Sequence, residues 1–266
     1  MKNKIYELYA LEQLSGGNTA VHRLHPMVKL LSTTVFIITV VSFDRYSLGG
    51  LAPYIFYPML LMALSETPYS MLLKRFLIAL PFCLFAGISN AIFDRTIAFE
   101  LGNIAVTGGV VSFFAILLRA YLCVMAVLIL VSVTPFSELS KEMRRLRIPN
   151  IFIVIFEMTY RYIGVLLDEA YSMYVAYSLR SANKKGIEMR DMGGFIGQLL
   201  LRSVDRADRI YTAMKCRGYA VHGFPADKKR LTQKDIAFFA VTCLLIIAFR
   251  FIDTNALFVR IFGGLV

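Results

Sequence analysis

The strongest constraint on this chain is its run of long apolar segments, bounded by short polar joints. Five stretches qualify as transmembrane helices: roughly Met27–Phe43, Leu48–Leu64, Phe76–Phe93, Gly108–Thr134 and Ile236–Phe251. A backbone in hydrocarbon must satisfy its own polar groups, which about 20 apolar residues achieve as a helix. The 266 residues are 58% hydrophobic and 18% charged, too apolar for a soluble domain of this size to bury. Disorder, collagen-like repeats and a disulfide scaffold are excluded by the same composition. Pro53, Pro58 and Pro81 fall inside these segments and predict kinks rather than breaks. Asp44 to Ser47 alone join the first two, which predicts a tight antiparallel hairpin. The residues before the first segment are polar and mixed in charge, unlike a cleavable signal.

The net charge is +11, and its placement sets the topology. Of the 29 Lys and Arg residues, 18 lie between Glu138 and Lys234: four in Lys141–Arg147, Arg161, and thirteen from Arg180 onward. A sixth apolar stretch, Ile151–Leu167, carries Glu157 and Arg161 one helical turn apart. If it crossed the membrane, thirteen cations would lie outside, against the positive-inside rule. It is therefore expected to lie at, or dip into, the inner face, with the N-terminus cytoplasmic. The expected fold is an all-α membrane protein of about five transmembrane helices, with a cytoplasmic helical module inserted before the last span. The boundaries are 1–134 (four spans), 135–234 (the module) and 235–266 (last span and tail).

Within the module, a helix is predicted from Pro149 to about Arg180, then a turn at Asn183-Lys184-Lys185-Gly186. A second is predicted from about Gly194 to Arg217, with Gly218 as its left-handed stop. Arg202, Arg206 and Arg209 form a cationic stripe, with Asp205 and Arg209 spaced to pair. Val204, Ala207, Tyr211 and Met214 form an apolar stripe for packing. Asp191, Asp205 and Asp208 interrupt the basic residues, which argues against nucleic acid. A protein partner is the preferred reading, with a solvated face near anionic lipid as the alternative.

Chemistry-bearing motifs are sparse. The P-loop, nucleophile-elbow, zincin and dinucleotide patterns are absent. Cys83, Cys123, Cys216 and Cys243 are scattered and read as small hydrophobes. His22 and His25 have metal-ligand spacing but no companion, so surface histidines are expected. Arg119 is the one clear intramembrane charge, and with no carboxylate at depth it is assigned a structural role bonding carbonyls or an adjacent helix. A lipid-headgroup enzyme would have to rely on Asp168 and Glu169, which point about 100° apart on a helix. A self-sufficient channel lacks a polar stripe.

The run Leu199-Leu200-Leu201-Arg202-Ser203-Val204-Asp205-Arg206-Ala207-Asp208-Arg209-Ile210-Tyr211, continued by Ala213-Met214-Lys215-Cys216-Arg217-Gly218-Tyr219, resembles a known signature. It is similar to that of the transmembrane T component of energy-coupling factor transporters, in the CbiQ-type cobalt branch. His25-Pro26-Met27-Val28-Lys29-Leu30, Thr134-Pro135-Phe136, Tyr160-Arg161-Tyr162 and Asp168-Glu169-Ala170 agree, so the likeness runs nearly the whole chain. The resemblance implies a non-catalytic scaffold in the bacterial or archaeal cell membrane, with no cofactor and no metal of its own. Its implied partners are two ATP-binding-cassette ATPase subunits and a membrane substrate-binding component, with lipid around and no nucleic acid. Two Ala-Arg-Gly-like motifs would dock on the ATPases. The second maps to Ala213, Arg217 and Gly218, and the first to Arg180 and Ser181 after Leu179, where the small flanking residues are replaced. Arg202, Asp205, Arg206 and Arg209 would support that helix. Cobalt is the favoured cargo, with nickel or a vitamin as alternatives.

Overall fold

The computed structural model describes residues 15–44, 47–93, 97–101, 104–143, 145, 148–181, 186–219 and 231–251. The described elements are helical except for one two-stranded hairpin. They are α1 (Ala20–Arg23), α2 (Pro26–Val41), α3 (Leu48–Leu51), α4 (Phe56–Ser65) and α5 (Tyr69–Phe93). The hairpin strands β1 (Ile97–Leu101) and β2 (Ile104–Thr107) follow. Next come α6 (Gly108–Val133), α7 (Phe136–Met143), α8 (Asn150–Arg180), α9 (Met189–Cys216) and α10 (Gln233–Phe251). An all-α membrane architecture is what the sequence predicts. The antiparallel hairpin, pairing Leu101 with Ile104 and Ile97 with Thr107, is an addition to it.

Among the described residues, four helices are long and apolar enough to cross a membrane: Leu48–Ser65, Tyr69–Asn90, Gly108–Val133 and Asn150–Arg180. The first of these changes to a 3₁₀ turn over Ala52–Ile55, where Pro53 removes a backbone donor. Helix α5 passes through Pro81 and remains helical to Phe93. Helix α2, with 16 residues, and α10, with charges at both ends, fall short by the same measure.

The chain divides into two compact units. The larger comprises 11–136 and 229–266, and α6 is its central element, since residues of α6 enter both of its apolar clusters. One cluster joins Met125, Ile129 and Val133 to Val21, Leu61, Met62, Leu72 and Phe76. The other joins Ala115, Leu122 and Ala126 to Phe36, Val40, Leu51, Tyr54 and Ile246. Phe36 stacks on Tyr57 with ring centroids 4.2 Å apart, and the Tyr54 hydroxyl donates to the Ile246 carbonyl at 2.9 Å.

Three buried polar residues, His25, Lys29 and Asp235, fix the helix ends of this unit. His25, expected at the surface, is 1% exposed. It caps α2 by accepting the Met27 amide on Nδ1 at 3.2 Å, and its own amide donates to Asp235 Oδ1 at 2.9 Å. Asp235 is the third residue of α10, and its Oδ2 accepts the Thr232 amide at 2.8 Å. That is one arm of a capping box, here extended to a second element. Lys29, also buried, donates to the carbonyls of His22 and Val133 at 3.3 Å each.

At the opposite end of α2, Arg119 donates through Nη2 to the carbonyls of Phe43 at 2.6 Å and Asp44 at 3.1 Å. Arg250 lies 4.2 Å above the Phe43 ring and reaches the Ser42 carbonyl at 3.4 Å. Two guanidinium groups thus meet the negative end of one helix dipole. Arg119 has the structural role expected of a lone intramembrane cation. The Ser47 amide and hydroxyl close the joint onto the Asp44 carbonyl, as a tight hairpin requires.

Candidate functional site

The second unit holds α7 from Ser137, α8 and α9. Helix α8 begins after Pro149 and runs 31 residues to Arg180, as predicted. Near its start it is anchored by α7: the Ser140 hydroxyl donates to Glu157 at 2.9 Å, and Ile153 is fully buried. Helix α9 starts at Met189, five residues before the predicted start at Gly194. Glu188 is its N-cap position, and Asp191 in the first turn suits the positive end of the dipole. Tertiary contact outweighs the low helix propensity of Gly193 and Gly194: Asp191 Oδ2 accepts the Tyr177 hydroxyl at 2.7 Å, tying the start of α9 to the last turns of α8.

The end of α9 bears the predicted left-handed stop. Gly218 has φ +70°, its amide donates to Lys215 O at 2.9 Å, and the Tyr219 amide donates to Met214 O at 3.0 Å. These two bonds together are a Schellman cap. Arg217 is the C-cap residue, with its amide on the Ala213 and Met214 carbonyls, and its side chain is exposed. Arg180 ends α8 with an exposed side chain, and Ser181 follows as its C-cap.

The cationic stripe does not behave as one unit. Glu169 on α8 accepts Arg202 on one carboxylate oxygen and Arg206 on the other, the latter at 3.3 Å. Arg209 stands exposed, and the predicted Asp205–Arg209 pair is not formed. The attraction of an exposed i, i+4 pair is only about 0.3–0.5 kcal/mol, too little to fix two long side chains. The predicted apolar stripe is met in part: Met214 is half-buried, and Ala207 and Tyr211 line a groove between α8 and α9. Val204 and Tyr211 are 50% and 60% exposed, and Ala207 is exposed as well. The half-buried positions are Met192, Phe195, Leu199, Ser203, Arg206, Ile210 and Met214, spaced three or four residues apart as one helix face requires. Sequence reasoning included Met214 of this face but not Ser203, Arg206 and Ile210, because Arg206 interrupts its apolar pattern.

No residue of α9 is buried. On one side of the Glu169 pairing, an apolar groove of about 300 Å³ includes Met158, Tyr162 and Leu166 of α8 with Ile210 and Met214 of α9. On the other, a polar cleft of about 660 Å³ is lined in part by Arg180, Arg190 and Arg202. Tyr177, Asp191 and the double role of Glu169 were not predicted. Asp235 was missed too, though Thr232-x-x-Asp235 is legible as a capping box. The four described thiols are free. Among the described residues, no three His, Cys, Asp or Glu side chains converge as metal ligands.

Comparison with known proteins completes the site. The profile of the cobalt transport protein family CbiQ matches residues 17–229. An uncharacterised protein of Methanocaldococcus jannaschii is 26% identical over 92% of this chain and 87% of its own length. The energy-coupling factor transporter transmembrane protein EcfT of Bacillus subtilis is 25% identical over 76% of this chain and 82% of its own. The cobalt transport protein CbiQ of Rhodobacter capsulatus is 33% identical over 34% of this chain and 37% of its own. The profile takes in α1 through α9, including the capped arginine end and the paired helices that carry it, so this chain belongs to the CbiQ family of cobalt transport proteins.

Proposed function

We propose that this multi-pass membrane protein is the coupling subunit of an energy-coupling-factor importer for cobalt. The named relatives are membrane components of transporters, and the chain is a transporter part rather than an enzyme. In this reading, two ATP-binding-cassette subunits on other chains dock at Arg180–Ser181 and at Ala213, Arg217 and Gly218. Helices α8 and α9 carry their movement to a separate substrate-binding membrane protein. The observation that carries the reading is α9 itself: 28 residues, none buried, ending in a rigid cap that presents Arg217. A helix so uncovered needs a partner to bury its apolar side chains. Guanidinium at a helix C-terminus is favoured by the dipole and offers five donors to a partner's carbonyls or carboxylates.

Orientation follows from charge. A cytoplasmic N-terminus puts the module, 135–234, inside, between the four spans of 1–134 and the last span of 235–266. Helix α8 has the length to cross, about 46 Å at 1.5 Å per residue. The thirteen cations from Arg180 to Lys234 hold its far end inside, so its apolar first half rests at the inner face. The test is Arg217→Glu in the complete complex. Uptake of cobalt is lost and ATPase subunits co-purify at least about tenfold less well, the effect of reversing an interface anchor. Wild-type uptake by that variant refutes the docking role. Competition by nickel that matches cobalt would move the cargo assignment to nickel.

A further inference from the structure

We infer that the first ATPase contact is made by a clamp of two arginines, Arg180 and Arg190, which grips a carboxylate-bearing segment of the ATPase subunit. The inference rests on the function proposed above and adds a residue and a partner chemistry to it. Arg180 closes α8 and Arg190 is the second residue of α9, and both line the 660 Å³ cleft between these helices. Of the other charges there, Arg202 is held by Glu169, while Asp191 accepts the neutral Tyr177 hydroxyl and keeps its negative charge. Arg180 and Arg190 have no hydrogen bond or ion pair within the described residues. Against the one carboxylate of Asp191, Arg180, Arg190 and Arg202 leave the lining net positive, which an anionic occupant complements.

The rim says what kind of occupant fits. Beside Arg180 stands Leu179, 80% exposed, and beside Arg190 stands Met189, 89% exposed. Free phosphate would use the guanidinium groups and leave both apolar side chains in water. A protein segment with a carboxylate between apolar surfaces uses all four, and arginine and methionine are each enriched at protein interfaces. The Tyr177–Asp191 bond fixes the cleft before binding, which lowers the ordering cost.

The experiment compares Arg190→Glu, Arg190→Lys, Arg180→Glu and Arg217→Glu in the full chain co-expressed with its ATPase subunits. Arg190→Glu should weaken ATPase association about tenfold or more, and Arg190→Lys by no more than about threefold. Arg180→Glu with Arg190→Glu should fall short of the product of the single effects, because the two share one carboxylate. Arg190→Ala serves if the glutamate variant fails to accumulate, with the same expected loss in direction. Normal association of Arg190→Glu beside weakened Arg180→Glu and Arg217→Glu overturns the clamp and leaves the coupling function standing. Normal association of all three charge reversals overturns that function as well. If Arg190→Glu loses only binding to phosphatidylglycerol vesicles and keeps its ATPase subunits, the cleft is a lipid site and the clamp is refuted.

Discussion

Replacing Gly218 isolates what the Schellman cap contributes. The residue sits at φ +70°, and a Cβ built there meets nothing within 4 Å. Sterics against the rest of the chain therefore add nothing, and the whole cost of Gly218→Ala is the left-handed backbone, about 1 kcal/mol. Asparagine visits that region more readily and should cost less, while valine, branched at Cβ, should cost more than alanine. Two bonds open together when the cap frays: Gly218 N–H to Lys215 O and Tyr219 N–H to Met214 O. A loss of about 1 kcal/mol multiplies the open population about fivefold. Amide hydrogen exchange at Tyr219 should accelerate by that factor in Gly218→Ala, with the order glycine, asparagine, alanine, valine from slowest to fastest. Exchange at mid-helix amides such as Val204 should stay unchanged. Uptake should fall in the same order, since Arg217 is the C-cap whose direction the motif sets. Unaltered exchange at Tyr219 in both alanine and valine variants refutes the reasoning, because the positive φ would then carry no cost.

Asp235→Ala removes the acceptor of two amides, His25 and Thr232, and should destabilise the larger unit by about 2–4 kcal/mol, seen as a lower midpoint of thermal unfolding in detergent. Asp235→Asn, which keeps one acceptor oxygen, should lose about half as much; equal losses refute the shared-acceptor account. Arg119→Gln should cost about 1–2 kcal/mol of stability and retain most cobalt uptake, because Arg250 still meets the end of α2. Abolished uptake by a normally accumulated Arg119→Gln would show that the charge has a part in transport.

What was legible in the sequence depended on whether a single physical term dominated. The apolar helices were readable because hydrocarbon length dominates there, and the stop at Gly218 because only one residue type fits φ +70° cheaply. The burial of His25 was not readable, since it depends on Asp235, 210 positions away. The packed face of α9 was readable only in part because Arg206 looks like a solvent residue, and only the carboxylate of Glu169 on the other helix makes it an inward one. The early start of α9 was hidden by Gly193 and Gly194, whose weak propensity is overridden by the Tyr177–Asp191 contact. Leu101-Gly102-Asn103-Ile104 does carry hairpin turn chemistry, glycine first and asparagine second, between residues suited to strands. It was passed over because apolar helices set the expectation on both sides.

Helix α9 also has a calorimetric meaning. Ile196, Leu200, Leu201, Val204 and Tyr211 are each at least half exposed, so folding this helix removes little of their surface from water. Covering apolar surface lowers heat capacity by about 0.45 cal/mol/K for each Å². In the proposed docking of α9, most of that decrement falls on assembly and not on folding. An association driven this way weakens on cooling, as apolar burial does. The complex should therefore be most easily taken apart in the cold, while the separate membrane unit, with its buried core around α6, stays folded.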